Sequence, residues 1–552
     1  MDFSREVEIP ARLVDGQLLY RDASTYYGPL GYYANALALL VFGHRLEVFY
    51  VVGLVLGLVT TLLFYRLAKR LTDTRWAALS TICMLLYCAI GPGLFNFIVP
   101  YSYGAVYATV LCLLAVTFLD YYTCKGQIKW LVVAAIACGL AGLAKQEYGV
   151  AALGGVLVGA NLYFPQNFRT RVTRSLLVLA VASACTFLPL ALLAQQVSWE
   201  KLYLSLFPIP KADFLKQSTL FQVSPAKTLR HWFATFRHFF AASVLILLSV
   251  AAANWISKLK FIHNFKKFRF FVEILVGVAL AWISLSFLGW VCQFIPYFNF
   301  LHSINDIVFH PLRDMSWCLP VFVGWFALNR PQSPQYKHAP LLWTLLVFSL
   351  LLNARWLFYI NFYGLYATPV VLLFFTLLYY LTQRVRGVVW RYLLVCLVIG
   401  GSMNLGSLAQ YHYAVNSSYG TFYTWNATLA SSFNQTIQAI NSSKATSVLV
   451  LPEGSILSFM TATRSPSRII TFQPIALLGS EAQQDFLASM KINPPELIVF
   501  VDMLFREWGY ENYAEFNPLV SNWITQQHRL THTFPIPVFP EGEGFIRIYS
   551  RN

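Results

Sequence analysis

Three places in this sequence put ionisable side chains where an apolar chain should not have them. Lys145-Gln146-Glu147 sits as a corner between two apolar runs, 130–144 and 148–164. An ionisable pair at the end of a membrane-type segment is costly unless it faces a polar cavity, so a functional role is the first hypothesis for it. Lys145 suits a phosphate oxygen; Glu147 suits holding that lysine or binding a divalent metal ion. A structural ion pair explains the corner equally well. Arg355, between Ala354 and Trp356, offers a planar fork for a phosphate, although an interfacial arginine also snorkels to lipid headgroups. The third place is the polar cluster Asp306, His310, Arg313 and Asp314. His302 and His310 lack helical HxxxH spacing, so a dedicated metal site there is weakly supported.

The elements that must position these groups follow from composition. Of 552 residues, 57% are hydrophobic and 12% charged, with 45 Phe, 31 Tyr and 15 Trp. A soluble domain carries about 25% charged residues and needs a polar exterior. A soluble enzyme, a disordered chain and a disulfide scaffold are thereby excluded. Twelve apolar runs stand near 46–65, 77–97, 103–121, 130–144, 148–164, 174–194, 238–257, 270–292, 315–328, 340–354, 362–382 and 388–405. Several fall short of the roughly 20 residues a perpendicular span needs. The fold class is a polytopic α-helical membrane protein.

The net charge of +16 is a topology signal rather than a nucleic-acid footprint. Six short loops hold 19 of the 40 Lys and Arg, among them Arg66, Arg70, Lys125, Lys129, Arg169 and Arg171. The positive-inside rule puts these loops in the cytoplasm. Residues 1–45, 195–237, 293–314 and 406–552 then lie outside, with the Lys145 corner and the uncharged loop 97–102. In 195–237, basic residues alternate with Trp199, Tyr203, Phe207 and Phe214, a composition that suits the headgroup level. No internal repeat of the transporter kind is visible. All nine cysteines fall in or beside apolar runs, without a CxxC pair, and read as packing thiols.

Beyond residue 405 the character changes. Residues 406–445 are rich in Asn, Ser, Thr and Tyr with an amphipathic stretch at 428–441, and read as a linker. Four Asn-x-Ser/Thr sequons, at Asn416, Asn426, Asn434 and Asn441, fit the same polar composition. Strand-like runs follow at 446–451, 468–472, 497–501 and 545–549, with helical stretches at 479–490 and 516–526. That alternation predicts a small α/β domain.

The first 45 residues carry a resemblance. They run Asp2-Phe-Ser-Arg-Glu-Val-Glu, then Asp15-Gly16, then Tyr20-Arg21-Asp22, then Tyr26-Tyr27-Gly28-Pro29-Leu30. An acidic residue, a helix ending in a Gly turn, a Tyr-x-Asp and a Gly-Pro-Leu leading into an interfacial helix resemble the first outer loop of GT-C glycosyltransferases. These integral-membrane enzymes use polyprenyl-phosphate sugars; protein O-mannosyltransferases and the lipid A aminoarabinose transferase are among them. The resemblance implies that Asp2 acts as base toward the acceptor hydroxyl or helps bind a metal, with Asp22 as a second catalytic candidate. A carboxylate that takes a proton as a hydroxyl attacks is sound chemistry, and the departing phosphate needs cations. Some members place a phosphate-binding lysine just before Pro-Leu. Here that stretch is Tyr27-Gly28, with Tyr27 taken as a donor-phosphate residue, so the cationic contact comes from elsewhere or is absent. The second carboxylate that many members carry in the next outer loop is missing from 97–102.

The class also begins with a transmembrane helix ahead of this loop. Either a thirteenth helix precedes residue 1, with 29–42 lying in the interface, or 29–42 itself spans and residues 1–28 are cytoplasmic; at about 14 residues that run is short for a bilayer, which favours the thirteenth helix. The domains expected are 1–45, a first outer loop; 46–405, the helical body; and 406–552, an outer linker with the small α/β domain. The function implied is inverting transfer of a hexose or pentose from a polyprenyl-phosphate donor to a lipid, glycan or protein acceptor. It would act at the outer face of a bacterial plasma membrane, with membrane lipids and no nucleic acid as partners. No cofactor is fixed beyond the divalent metal ion already considered. A non-catalytic lipid or polysaccharide exporter is the rival reading, and an envelope-assembly scaffold a third.

Overall fold

The computed structural model describes residues 3–90, 96–162, 167–207, 318–328, 338–354, 364–383, 386–537 and 543–551, with Leu229, Arg230 and Phe233. Asp2, Arg355 and the cluster Asp306, His310, Arg313 and Asp314 lie outside the described residues, as do the apolar runs 238–257 and 270–292.

The described parts of the other ten apolar runs fall largely within helices. The chain opens with α1 (Phe3–Val14) and α2 (Pro29–Phe42), followed by α3 (Leu46–Leu71) and α4 (Thr74–Met84), which continues as a π turn to Ala89. Then come α5 (Tyr103–Lys125), α6 (Ile128–Ala144), α7 (Gln146–Leu162), α8 (Phe168–Val197) and the short α9 (Trp199–Leu206). Four further helices cover Cys318–Leu328, Ala339–Leu352, Gly364–Leu381 and Arg386–Leu408. Among the described helices α3, α5 and α8 are long and apolar enough to cross a bilayer.

Local chemistry sets the ends of these helices. Asp73 caps α4 by accepting from the N–H groups of Arg75 and Trp76. Gly126, at φ 69°, lets α5 stop in the left-handed conformation. Gly16, at φ 83°, does the same after α1. In the bundle, small residues let the backbones approach. A Cβ on Gly149 would lie 2.3 Å from the Cα of Gly142, so α6 and α7 cross in near contact.

The C-terminal α/β unit has a four-stranded sheet in the order β3-β4-β6-β5. Its strands are β3 (Val448–Leu451), β4 (Leu497–Val501), β5 (His528–Pro537) and β6 (Glu543–Arg551). Strands β3 and β4 run parallel, and β6 is antiparallel to both β4 and β5. The runs Val-Leu-Val-Leu and Leu-Ile-Val-Phe-Val are almost wholly apolar because both faces of these strands are covered. One face, with Val448, Val450 and Val499, belongs to a core that also holds Phe3, Val7 and Ala11 of α1 and Phe49 of α3. The unit and the first loop therefore share one hydrophobic core.

Two expectations for this region need correction. The polar stretch 406–445 is folded rather than a linker: α-helix to Leu408, a hairpin of β1 (Tyr413–Ser417) and β2 (Gly420–Thr424), then a helix Ala427–Ser443. Asn426 caps that helix, and Asn434 donates to the Ala414 carbonyl while accepting from the Asn416 N–H, so two sequon asparagines serve structure. Residues 468–472 form no strand. The carbonyls of Ser467 and Arg468 accept instead from the first loop, through the Arg12 guanidinium at 2.7 Å and the Ser24 N–H at 2.8 Å. Strand β5 was not among the expected runs; it lies at the sheet edge, where its Pro535 and Pro537 are tolerated.

Candidate functional site

Helix α6 ends at Ala144, and Lys145 follows in extended conformation (φ −155°, ψ 118°) before α7 begins at Gln146. This break turns the Lys145 side chain into the protein, where it is 4% exposed, while Glu147 remains 43% exposed. The ammonium lies 3.5 Å from Glu147 Oε1. Around it are three tyrosine faces, with ring centres at 5.0 Å for Tyr27, 5.3 Å for Tyr101 and 5.4 Å for Tyr366. The quadrupoles of these rings attract a cation, and the effect is strongest where water is excluded. Tyr366 also donates its hydroxyl to Glu147 Oε1 at 2.8 Å. A buried lysine is thus supported by one carboxylate and an aromatic cage.

A second cation reaches the same tyrosines. The Arg5 guanidinium stands 4.6 Å over Tyr27 and 5.6 Å over Tyr101, and donates to the Tyr101 carbonyl at 2.9 Å. Tyr27 and Tyr101 meet edge to face at 5.7 Å, with their hydroxyls hydrogen-bonded to each other. Arg5 is aimed by Glu6, which lies 3.2 Å from its Nε. Glu6 is 1% exposed and also accepts from the Tyr32 hydroxyl and, at 2.7 Å, from the Tyr103 N–H. Burial pushes the Glu6 carboxyl above its ordinary value, against the pull of Arg5 and these hydrogen bonds. Glu8 is likewise raised by burial, opposed by its pair with Arg12 at 2.8 Å.

Glycine brings these parts together. A Cβ on Gly28 would sit 2.1 Å from the Leu143 carbonyl oxygen, and one on Gly104 would sit 2.8 Å from that of Ala144. The starts of α2 and α5 therefore press directly on the end of α6, which is why Tyr27 and Tyr101 reach Lys145. Tyr101 is delivered by the loop 97–102, tightened by Asn96 Oδ1 accepting from the N–H groups of Ile98 and Val99.

Of the expected site residues, Tyr27, Lys145 and Glu147 are brought together. Asp22 is placed differently: its carboxylate accepts from the Leu18 N–H and from Arg21, closing a turn. Its hydrogen bond to Arg21 is the main cause of its lowered pKa. Arg5, Tyr101 and Tyr366 were not singled out from sequence. Arg5 lay in the quoted first loop, but nothing local marks a tyrosine that meets its partners only through the fold. As for a divalent metal ion, the carboxylates of Glu6 and Glu147 are already engaged. Among the described residues no three His, Cys, Asp or Glu side chains gather to hold one.

An apolar cavity of about 610 Å³ lies between α2 and α8, with Leu18, Pro29, Leu30, Tyr33, Leu143 and Leu193 in its wall. Its wall includes Leu143, whose carbonyl oxygen is the atom that Gly28 approaches, and Pro29, the residue after Gly28.

No curated protein matches the chain in sequence. Among solved structures, ArnT from Cupriavidus metallidurans bound to undecaprenyl phosphate is 12% identical, over 99% of this chain and 93% of that one, with a TM-score of 0.42. The oligosaccharyltransferase AglB from Archaeoglobus fulgidus, in complex with an inhibitory peptide and a dolichol-phosphate, is also 12% identical. That match covers 100% of this chain and 70% of AglB, with a TM-score of 0.47. Residues 27–199, which carry Tyr27, Tyr101, Lys145 and Glu147, match the family described as dolichyl-phosphate-mannose-protein mannosyltransferase, so over that segment the chain is similar to polyprenyl-phosphate-dependent glycosyltransferases.

Proposed function

We propose that this protein is an inverting membrane glycosyltransferase that moves one sugar from a polyprenyl-phosphate donor to an acceptor at the outer face of a bacterial plasma membrane. The observation that carries this reading is the convergence of Lys145 and Arg5 on the Tyr27–Tyr101 pair. Two cations held in a largely dry aromatic setting are what a departing phosphate monoester requires, because its charge grows as the glycosidic bond breaks. The apolar cavity between α2 and α8 suits the first isoprene units of the carrier.

The acceptor oxygen attacks the anomeric carbon as the bond from that carbon to the phosphate oxygen breaks. The acceptor's proton passes to a carboxylate, and polyprenyl phosphate leaves with its configuration-inverted sugar transferred. Asp2, one residue ahead of α1, is the base in this scheme. Lys145 and Arg5 hold the phosphate, Glu147 and Glu6 hold those cations, the Tyr27 hydroxyl donates to a phosphate oxygen, and Arg355 adds a further phosphate contact. The family match over residues 27–199 supports the transferase class. Twelve spans, basic loops inward and the α/β unit outward complete the arrangement.

The test is mass spectrometry of polyprenyl-linked sugars in cells with and without the gene. A sugar-phosphate lipid that accumulates only in the deletion strain, and is cleared by wild type but not by Asp2→Asn, is the expected result. An unchanged lipid pool would sink the transferase reading.

A further inference from the structure

The opposite end of the helical body carries a second built surface. Helix α5 runs from Tyr103, beside the tyrosine cluster, to Lys125. Its 23 residues span about 34 Å at 1.5 Å per residue. At this far end three helices deliver one cation each to a single aromatic pair. Tyr121 of α5 and Trp130 of α6 stack with ring centres 5.0 Å apart and planes 28° apart. Arg66 of α3 lies 4.1 Å over Tyr121. Lys125 lies 5.2 Å from Tyr121 and 5.4 Å from Trp130, and Lys129 of α6 is 5.3 Å from Trp130.

Among the described residues these charges are not neutralised by a carboxylate. The nearby carboxylate, Asp120, is held by Arg70 at 3.1 Å. Among the described residues no ion pair forms to Arg66, Lys125 or Lys129. Both lysines are exposed, and Arg66 is half-buried. Below the cations, Leu58 and Leu62 are 60% and 61% exposed. They stand two turns and one turn before Arg66, respectively, on the same face of α3, so an apolar stripe leads from the charges along the bundle.

We propose that this surface is a binding site for an anionic glycerophospholipid of the inner leaflet. The phosphate is held among Arg66, Lys125 and Lys129, its glycerol backbone lies against the Tyr121–Trp130 stack, and an acyl chain follows Leu62 and Leu58. Positive charge, an aromatic shelf at headgroup depth and an apolar track beneath are the three features such a lipid presents in complement. The site is independent of the transfer reaction, since it lies at the other end of the helices.

The test uses the full chain purified in detergent at 150 mM salt, where diffuse surface attraction is screened. Phosphatidylglycerol is titrated against phosphatidylcholine, with retained lipid read by native mass spectrometry and Tm by scanning fluorimetry. Saturable retention of phosphatidylglycerol with a rise in Tm, and neither with phosphatidylcholine, is expected. The triple variant Arg66→Ala/Lys125→Ala/Lys129→Ala should weaken half-saturation at least tenfold, while Arg169→Ala/Arg171→Ala stays within twofold. Lys129→Glu, at an exposed position, is measured if the triple variant does not purify, and should itself weaken binding. Unchanged affinity in these variants overturns the site. An equal loss in the Arg169/Arg171 control means a diffuse field, and stabilisation by soluble glycerophosphate means a free-phosphate site; either result also overturns it.

Discussion

The Lys145 ammonium lies 5.0 Å from the ring of Tyr27, directly ahead of the Gly28-Pro29-Leu30 turn that has no cation of its own. The cation that the Tyr27-Gly28 stretch itself does not carry is supplied by the end of α6, beside Arg5 of the first loop, and Gly28 sets the distance. On the reading proposed above, this is the point where the donor phosphate sits.

Removing that charge should stop the chemistry without unfolding the protein. Lys145→Gln is expected to lower kcat/KM for a polyprenyl-phosphate sugar by about 100- to 1000-fold, the cost typical of losing one preorganised group that stabilises developing charge. Tm should change little, because burying a charge has a desolvation cost that largely offsets its attraction. Lys145→Arg should not restore the rate, since a planar fork does not fit where three tyrosine faces surround a compact ammonium. Reconstituted transfer assays with scanning fluorimetry on the same samples check both statements.

Gly28→Ala should be damaging for a steric reason. Its Cβ would fall 2.1 Å from a backbone oxygen, which cannot rotate away, so α2 must shift off α6. A loss of about 1–3 kcal/mol is expected, as for other overpacked contacts, together with a large loss of transfer. Gly16→Ala has open space around it but a φ of 83°, and should cost only about 1 kcal/mol with activity retained. Denaturation midpoints and activities of the two variants make the comparison.

Arg12 joins α1 to the C-terminal unit, being held between Glu8 and the Ser467 carbonyl while 4% exposed. Arg12→Ala leaves Glu8 buried without its partner, a change that costs about 3–5 kcal/mol in comparable buried pairs. Limited proteolysis should then cut within 463–478 sooner than in wild type. Arg12→Ala/Glu8→Gln, which removes the stranded charge, should recover part of the loss.

Glu6 and Glu8 give stability a definite pH slope. Both carboxyls are raised above the ordinary glutamate value of 4.5, so the folded protein holds these protons more tightly than the unfolded chain. Their contribution is fully present below pH 4.5 and is lost as pH rises through the folded values. The Tm difference between wild type and Glu6→Gln/Glu8→Gln should therefore favour wild type most at low pH and shrink toward neutrality. A difference that grows with pH would show that the two carboxyls are lowered instead.

Much of the helical body was legible because apolar runs and basic loops are properties of single segments. Runs such as 103–121 and 174–194 fall within α5 and α8. Strand 497–501 was readable for the same reason, being wholly apolar and bounded by polar turns. The failures arose where a segment is satisfied by a distant partner. Residues 468–472 look like a strand, but the carbonyls of Ser467 and Arg468 bond to the first loop. The site shows the same limit. Lys145 and Glu147 stood out as charges at a span end, whereas Arg5, Tyr101 and Tyr366 acquire meaning only when α1, the 97–102 loop and the helix at 364–381 converge.

At one contact of the seam between the first loop and the α/β unit, the hydrogen bonding is one-sided. Arg12 and Ser24 supply a guanidinium, an N–H and a hydroxyl, while Ser467 and Arg468 answer only with main-chain carbonyls. Almost any residue at 467 or 468 offers the same carbonyl, whereas few can replace the guanidinium of Arg12. Sequence change at 467 and 468 can therefore proceed without loosening this contact, whereas Arg464, paired with Asp15 at 3.8 Å, and Val448, Val450 and Val499, packed with α1, hold the seam through their side chains. At 467 and 468 the constraint falls on the partner, Arg12.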